Sequence, residues 1–116
     1  LQCVCLSAAS AAGGDGALST GQRNACSYAN INKPAGYQYL PGRPGMQPGD
    51  HFIMGADNCV SSGGSTVGHI GVVIKPEDGQ KFTCVDANYG TDGLIRGPDT
   101  GCFFAKSEIS GCLRKM

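Results

Sequence analysis

The segment 68–90 constrains the fold most, because it carries two strand patterns joined by a tight-turn signal. Runs rich in β-branched residues lie on both sides of Asp78-Gly79, a dipeptide typical of two-residue hairpin turns. Side chains alternate between the two faces of a strand, and one face of this hairpin is apolar. We expect that face in the core, with Ile70, Val72, Ile74, Val85 and Ala87. The sequence therefore predicts an antiparallel hairpin with one buried face.

The other face of the hairpin collects polar side chains. A two-residue turn places His69 opposite Asn88, and it places Gly71 opposite Asp86. His69, Asp86 and Asn88 then share a face, where an imidazole beside a carboxylate and an amide forms an oriented base. Each residue alone is more often structural, and a one-residue slip in pairing would bring His69 opposite Ala87. Their convergence on an otherwise apolar hairpin favours a catalytic site that lacks only a nucleophile.

Length and charge limit the classes of partner. The chain of 116 residues is long enough for one domain with a modest core. Its 9 basic and 9 acidic residues give a formal net charge of zero, without a basic run. This balance argues against nucleic acid or an anionic membrane as the partner. No apolar stretch approaches the length that crosses a bilayer, so we expect no membrane span. We also expect a monomer without a cofactor or metal ion.

Seven cysteines are heavy usage for a protein of a reducing compartment. They stand at positions 3, 5, 26, 59, 84, 102 and 112. No Cys-x-x-Cys pair occurs, and Cys3-x-Cys5 with two histidines does not match a structural zinc site. A secreted protein with disulfides is the better interpretation. Because the count is odd, three disulfides would leave one thiol that is either intermolecular or reactive.

Local composition places helices before strands along the chain. Residues 3–12 and 23–32 favour helix, and the first of these segments is closed by Gly13-Gly14. Proline and glycine make 41–49 irregular. Besides the hairpin, the predicted strands are 50–54, 102–105 and 112–114. Helices followed by antiparallel strands are the pattern of an α+β domain.

The sequence favours a thiol at a helix start as the nucleophile that the hairpin face requires. Backbone N–H groups at a helix N-terminus and a nearby imidazolium both favour a thiolate. Cys3 opens the first predicted helix, Cys5 lies one or two positions inside it, and Cys26 lies early in the second. These arguments leave the choice among the three cysteines open.

Several local motifs run in order over nearly the whole chain. They are Gln2-Cys3, then 23–30 with Ala35-Gly36-Tyr37, Pro48-Gly49-Asp50, Gly68-His69-Ile70-Gly71-Val72-Val73, Asp86-Ala87-Asn88-Tyr89-Gly90, and Arg96 with 110–114. Together they resemble the CHAP family, the cysteine- and histidine-dependent amidohydrolases/peptidases. The family's Gly-Gln-Cys start, Gly-His-Val-Ala/Gly-Val-Val strand and Glu-x-Asn-Trp/Tyr segment are the nearest parallels. The chain departs from the family in lacking Trp and in carrying Asp86 where Glu is commoner.

The resemblance implies a single CHAP-like catalytic domain over residues 1–116. It implies a papain-like fold, in which N-terminal short helices that carry the thiol pack on an antiparallel, barrel-like sheet that carries His69. It also implies a secreted, disulfide-stapled enzyme that cuts amide bonds of bacterial peptidoglycan, as an amidase or an endopeptidase. A role in defence, as a competitor-killing toxin or as an autolysin fits equally.

The resemblance further implies the roles of the site residues. Cys3 would be the nucleophile and His69 the base, with Asp86 and Asn88 orienting the imidazole. The residues expected to contact the substrate are Gln2, whose side chain would join the backbone N–H of Cys3 around the oxyanion, and Tyr89 in the groove. If Cys3 is the free thiol, the other six cysteines pair. The expected pairs are Cys5 with Cys26, Cys102 with Cys112 and Cys59 with Cys84.

Two other classes of protein remain as alternatives. One is a non-catalytic, disulfide-rich secreted binding module, in which the hairpin face contacts a partner. The other is a cysteine protease that acts on protein, or an inhibitor derived from one. A related papain-like cell-wall peptidase pattern, Asp-Cys-Ser before a helix, would favour Cys26-Ser27, although the spacing to Pro48-Gly49-Asp50 is short for it.

Overall fold

The structure is a computed structural model, and it describes residues 24–31, 33–42, 45–76, 81–87, 89, 94–97, 99 and 101–116. The predicted helix at 3–12 and the predicted Asp78-Gly79 turn lie outside these residues. Within them, no helix has the length and apolar character needed to cross a bilayer.

Antiparallel strands make up most of the described chain. They are β1 (Tyr37–Pro41), β2 (His51–Met54), β3 (His69–Pro76), β4 (Lys81–Ala87), β5 (Ile95–Arg96), β6 (Phe103–Ala105) and β7 (Gly111–Lys115). The order across the sheet is β1-β7-β2-β3-β4-β5, and β6 also pairs with β4. Among the described residues no pairing joins β1 to β5, so the sheet is open. The expected barrel-like closure is therefore wrong.

The strands predicted outside the hairpin are present, with ends that differ by one residue. The segments 50–54, 102–105 and 112–114 correspond to β2, β6 and β7. Two further strands, β1 and β5, are not predicted from the sequence. The first ends at Pro41 in a stretch rich in proline and glycine, and the second has two residues. Both lie at the ends of the strand order, where a strand is hydrogen-bonded on one side and a terminal proline is tolerated.

The helix predicted at 23–32 is much shorter, a 3-10 helix at Ala25–Ala29. The backbone N–H of Ser27 donates to the carbonyl of Asn24, and that of Asn30 donates to the carbonyl of Ser27, each at 3.0 Å. The hydroxyl of Ser27 donates to the same Asn24 carbonyl at 2.7 Å, a side-chain bond that competes with a regular α-helical ladder. Other single 3-10 turns lie at Ala56–Asn58, Val60–Ser62 and Lys106–Glu108.

The predicted hairpin register is confirmed at the end of the hairpin that carries His69. Val72 pairs with Val85 and Val73 pairs with Cys84, as a two-residue turn requires. The pairing then shifts by one residue between Val73 and Lys75. The irregularity therefore lies towards the turn, and the polar face near the start of β3 keeps the predicted alignment.

Both faces of the sheet are covered by apolar side chains. The first cluster consists of Ala25, Tyr28, Tyr37, Ile53, Ile70 and Leu113. The second consists of Met46, Phe52, Val73, Phe82, Cys84, Cys102, Phe104, Ile109 and Cys112. Ile70, Val72 and Ala87 are buried as predicted, but Ile74 is 39% exposed because it lies at the register shift near the end of β3. His69 lies on the face of the second cluster, so its surroundings are aromatic rather than aqueous.

Two disulfides join described residues, and their partners differ from the expected ones. Cys26 bonds Cys59, with Cα atoms 5.7 Å apart, and Cys84 bonds Cys102, with Cα atoms 5.2 Å apart. Because β6 pairs with β4, Cys102 is brought beside Cys84, whose N–H donates to the Cys102 carbonyl at 2.9 Å. Cys112 is buried with a free thiol. The pairs Cys5–Cys26, Cys102–Cys112 and Cys59–Cys84 are therefore wrong.

Candidate active site

The centre of the candidate site is the predicted pair of His69 and Asp86. His69 is the first residue of β3, and its Nε2 lies 2.8 Å from Oδ2 of Asp86 near the end of β4. His69 is 5% exposed and Asp86 is completely buried. The antiparallel register brings these side chains, 17 residues apart in the chain, onto the face that the sequence predicts.

Arg96 also binds Asp86, and it is not among the predicted site residues. Its Nε donates to Oδ1 of Asp86 at 2.8 Å and its Nη2 donates to Oδ2 at 2.6 Å. Burial alone would raise the pKa of Asp86, but the hydrogen bonds from Arg96 and His69 lower it below its ordinary value. The hydrogen bond to Asp86 raises the pKa of Arg96. Asp86 is therefore an ionised carboxylate held by two partners.

Aromatic rings fix the imidazole and the guanidinium from several sides. The ring centroid of His69 lies 4.7 Å from that of Tyr89, 5.8 Å from that of Phe52 and 6.2 Å from that of Phe104. The Cζ of Arg96 lies 5.0 Å from the Tyr89 centroid and 5.4 Å from the Phe104 centroid. Tyr89 is 41% exposed, so it forms the rim of the site beside His69, where the sequence analysis expects a groove residue.

Gly71 is required by the close packing behind this site. A Cβ at position 71 would lie 2.5 Å from the Phe52 ring and 3.0 Å from Cβ of Asp86. The first distance is shorter than real Cβ contacts, and the second is at their lower limit. The glycine that the hairpin register places opposite Asp86 therefore lets the Phe52 ring and the carboxylate approach each other behind His69.

The 3-10 helix and the start of β3 are tied together next to His69. The N–H of Cys26 donates to the carbonyl of Val67 at 3.0 Å. Gly68 has a φ of 73°, and a Cβ there would meet the Met54 carbonyl oxygen and would lie 2.7 Å from Cβ of Cys26. The described chain therefore begins, at Asn24, two residues before a contact with the segment that leads into His69.

Four of the predicted residues lie in parts of the chain that the structure does not describe. Gln2, Cys3, Cys5 and Asn88 lie outside the described residues. Cys26, one of the three candidate nucleophiles, is wrong as a nucleophile because its sulfur is bonded to Cys59. The candidates from the sequence are thereby reduced to Cys3 and Cys5.

Cys112 has a free thiol but lies in a different environment. It is completely buried on β7, and its Sγ lies 3.7 Å from Oδ2 of Asp50. Burial, followed by the charge of Asp50, raises the pKa of the Cys112 thiol to about 12. A thiol in that state is inert as a nucleophile at neutral pH.

The described residues contain one group of potential metal ligands, Cys84, Asp86 and Cys102, with ligand atoms within 4.8 Å of one another. The two sulfurs are joined to each other, and metals bind thiolates rather than disulfide sulfurs. Arg96 and His69 already occupy the carboxylate of Asp86. This donor set therefore suits an ion-paired carboxylate and does not suit a metal centre.

Comparison of the chain with models of protein families gives no match, and comparison with curated proteins gives none either.

Proposed function

We propose that the protein is a secreted cysteine hydrolase that cuts amide bonds of bacterial peptidoglycan, as an amidase or a peptide endopeptidase of the papain-like, CHAP type. The observation that carries the proposal is the buried His69–Asp86 pair, an imidazole oriented by an ionised carboxylate at the rim of the sheet. The two disulfides support an oxidising, extracellular setting. The motifs shared with CHAP enzymes support peptidoglycan as the substrate.

The contact with Asp86 determines which imidazole nitrogen acts as the base. An ionised carboxylate only accepts hydrogen bonds, so the 2.8 Å contact requires that Nε2 of His69 carries a proton. In the neutral ring, Nδ1 is then the basic nitrogen. The proton of the nucleophile would pass to Nδ1, while Asp86 stabilises the imidazolium that forms.

The assignment of the cysteines supports a thiol from the N-terminal segment. Four cysteines are in disulfides, and Cys112 is buried with a protonated thiol. Cys3 and Cys5 are the two that remain of the seven. The motif Gln2-Cys3 favours Cys3, and the contact between the 3-10 helix and the start of β3 makes the entry of the described chain a neighbour of His69.

The reaction proposed for this site is acyl transfer through a thioester. As Sγ of Cys3 bonds to the substrate carbonyl carbon, the thiol proton moves to Nδ1 of His69. The backbone N–H of Cys3 and the side chain of Gln2 would hold the oxyanion. When the C–N bond breaks, His69 gives that proton to the leaving amine. A water then donates a proton to His69 and attacks the thioester, the C–S bond breaks to release the acid, and His69 returns its proton to Sγ of Cys3.

The direct test is hydrolysis of purified peptidoglycan, with products identified by mass spectrometry. Wild-type protein should release one defined new amine and carboxylate, and Cys3→Ala and His69→Ala should lose roughly a hundredfold or more of the rate while remaining folded. Cys5→Ala and Cys112→Ala are the matched controls and should retain activity. A folded His69→Ala variant with wild-type activity would contradict the proposal, and loss in Cys5→Ala alone would move the nucleophile to Cys5.

A non-catalytic binding module is the second candidate, because apolar side chains are exposed beside the site. Tyr89 is 41%, Leu94 68% and Ile95 53% exposed. Thiol titration of the native protein separates the candidates. The enzyme requires one thiol that iodoacetamide alkylates rapidly, whereas the module requires none.

A further inference from the structure

We propose that Arg96 is a positioning residue that neutralises Asp86, so that the carboxylate orients His69 without turning the imidazole into a permanent cation. This inference deepens the proposed function, since it takes His69 as the base of that reaction. It assigns a role to a residue whose hydrogen bonds reach the base through Asp86.

The two oxygens of Asp86 divide their contacts unequally. Oδ1 accepts from Nε of Arg96, whereas Oδ2 accepts from both Nη2 of Arg96 and Nε2 of His69. The guanidinium fork therefore satisfies the whole carboxylate, and the imidazole shares one of its oxygens. With the Asp86 side chain fully buried and that of Arg96 20% exposed, the pair is net neutral in a place where water screens it weakly.

Three features hold Arg96 in this position. It is the direct cross-strand partner of Asp86 in the pairing of β5 with β4. Its guanidinium lies over the rings of Tyr89 and Phe104. The residue that follows, Gly97, accepts a hydrogen bond from the N–H of Cys102, which the disulfide ties to β4 at Cys84. These contacts preorganise the guanidinium on Asp86.

The charges around His69 lead to a specific expectation. In the described part of the chain, the titratable or charged side chains that face the imidazole are Asp86 from β4, Arg96 from β5 and Tyr89 after β4. The rings from β2 and β6, Phe52 and Phe104, carry no charge. A carboxylate alone would favour the imidazolium, whereas a carboxylate paired with a guanidinium favours it much less. A base that takes a thiol proton must be neutral beforehand, which is what the ion pair allows.

The test is the pH titration of the His69 ring by NMR, which needs neither a nucleophile nor a substrate. The chain has two histidines, so the His69 signal is assigned by its loss in His69→Gln. Arg96→Met should move the titration midpoint to higher pH, because Asp86 is then uncompensated. Asp86→Asn should move it to lower pH, because the guanidinium is left uncompensated. The double variant should return the midpoint close to that of the wild type.

Arg114→Met is the matched control, because Arg114 forms the same kind of fork on the buried Asp50 and is 23% exposed. It should leave the His69 midpoint unchanged. The proposal is overturned if Arg96→Met leaves the midpoint in place or lowers it, or if Arg114→Met moves it equally. Where Arg96→Met does not fold, a double variant that titrates no higher than Asp86→Asn overturns the proposal equally. If the midpoints move as expected but the wild-type protein does not hydrolyse peptidoglycan, the proposed function alone is refuted.

Discussion

The described residues include two aspartate–arginine pairs that are built almost alike. The guanidinium of Arg96 donates hydrogen bonds of 2.8 and 2.6 Å to Asp86, and that of Arg114 donates hydrogen bonds of 3.0 and 2.7 Å to Asp50. Both carboxylates are buried, and both guanidinium groups are about one-fifth exposed. The fold therefore contains the same electrostatic unit twice, and a buried aspartate–arginine pair does not by itself mark a functional site.

The two pairs differ in the further group that contacts Oδ2 of each aspartate. Oδ2 of Asp86 contacts an imidazole that lies beside the exposed ring of Tyr89. Oδ2 of Asp50 contacts the Cys112 thiol and accepts the N–H of Gln47 at 2.8 Å. The first arrangement orients a base at a rim that solvent reaches, whereas the second keeps a thiol protonated in the core. The location and chemistry of the third partner thus separate the candidate site from a structural one.

The largest expected effect is the loss of either arginine. Arg96→Met and Arg114→Met should each lower the free energy of unfolding by roughly 3–5 kcal/mol, because each leaves a buried carboxylate without its cation. Urea denaturation of the two variants measures this, with Lys106→Met, far from both carboxylates in sequence, as a surface control near zero. Similar losses in both variants, with a shift of the His69 titration midpoint in Arg96→Met alone, would support two equivalent ion pairs of which one serves the base. A difference of more than about 2 kcal/mol between the two variants would show that the pairs are not equivalent.

Removal of the disulfides comes next in size. The Cys84–Cys102 bridge spans 18 residues and the Cys26–Cys59 bridge spans 33, so replacing each pair with alanine should cost about 3 and about 4 kcal/mol by loop-closure entropy. The shorter bridge encloses Asp86 and Arg96, and its loss should also perturb the His69 signals in an NMR spectrum. Thermal unfolding and chemical shifts test both expectations. Equal chemical-shift changes at His69 in both variants would argue that neither bridge is specific to the site.

Substitution of Gly71 should have an intermediate effect confined to the Asp86 region. A Cβ at position 71 would press on the Phe52 ring and on Asp86, so Gly71→Ala should cost about 1–3 kcal/mol by overpacking and should disturb the imidazole contact. Gly97→Ala is the matched control, since nothing lies within 4 Å of its added Cβ. Denaturation midpoints measure both. A neutral Gly71→Ala would show that the Phe52 ring has room to move away.

The sequence predicts the half of the candidate site that depends on local pairing. The alternation in the two segments of the hairpin predicts the pairing of Val72 with Val85 and of Val73 with Cys84, so the contact of His69 with Asp86 follows from two adjacent strands. Arg96 does not follow, because it reaches Asp86 from a two-residue strand without a periodic signal. A lone arginine ten residues after Asp86 is the one signal that would have suggested it.

The disulfides and the environment of Cys112 are beyond local patterns for a similar reason. Cys102 meets Cys84 because β6 pairs with β4, and Cys112 lies near Asp50 because β7 inserts between β1 and β2. Neither arrangement follows from the order of elements along the chain. Proximity in sequence, which suggests closing a loop from Cys102 to Cys112, selects the wrong partner when strand order is not sequential.

The smallest expected effect is a pH dependence of stability that arises from the thiol beside Asp50. Burial raises the pKa of Cys112 from its ordinary value of about 9 to about 12, so between those pH values the native state keeps a proton that the unfolded chain loses. Stability should therefore be nearly unaffected below about pH 8 and should fall as the pH rises further, by about 1.4 kcal/mol at pH 10. Cys112→Ala should reduce this fall, whereas Ser61→Ala, which removes a hydroxyl elsewhere, should retain it. Urea denaturation at pH 7, 9 and 10 provides the measurement.

Equal slopes of unfolding free energy against pH in wild type and Cys112→Ala would mean that the thiol beside Asp50 ionises as readily in the folded protein as in the unfolded chain. The contrast between an inert buried thiol and an oriented imidazole would then lose its electrostatic basis.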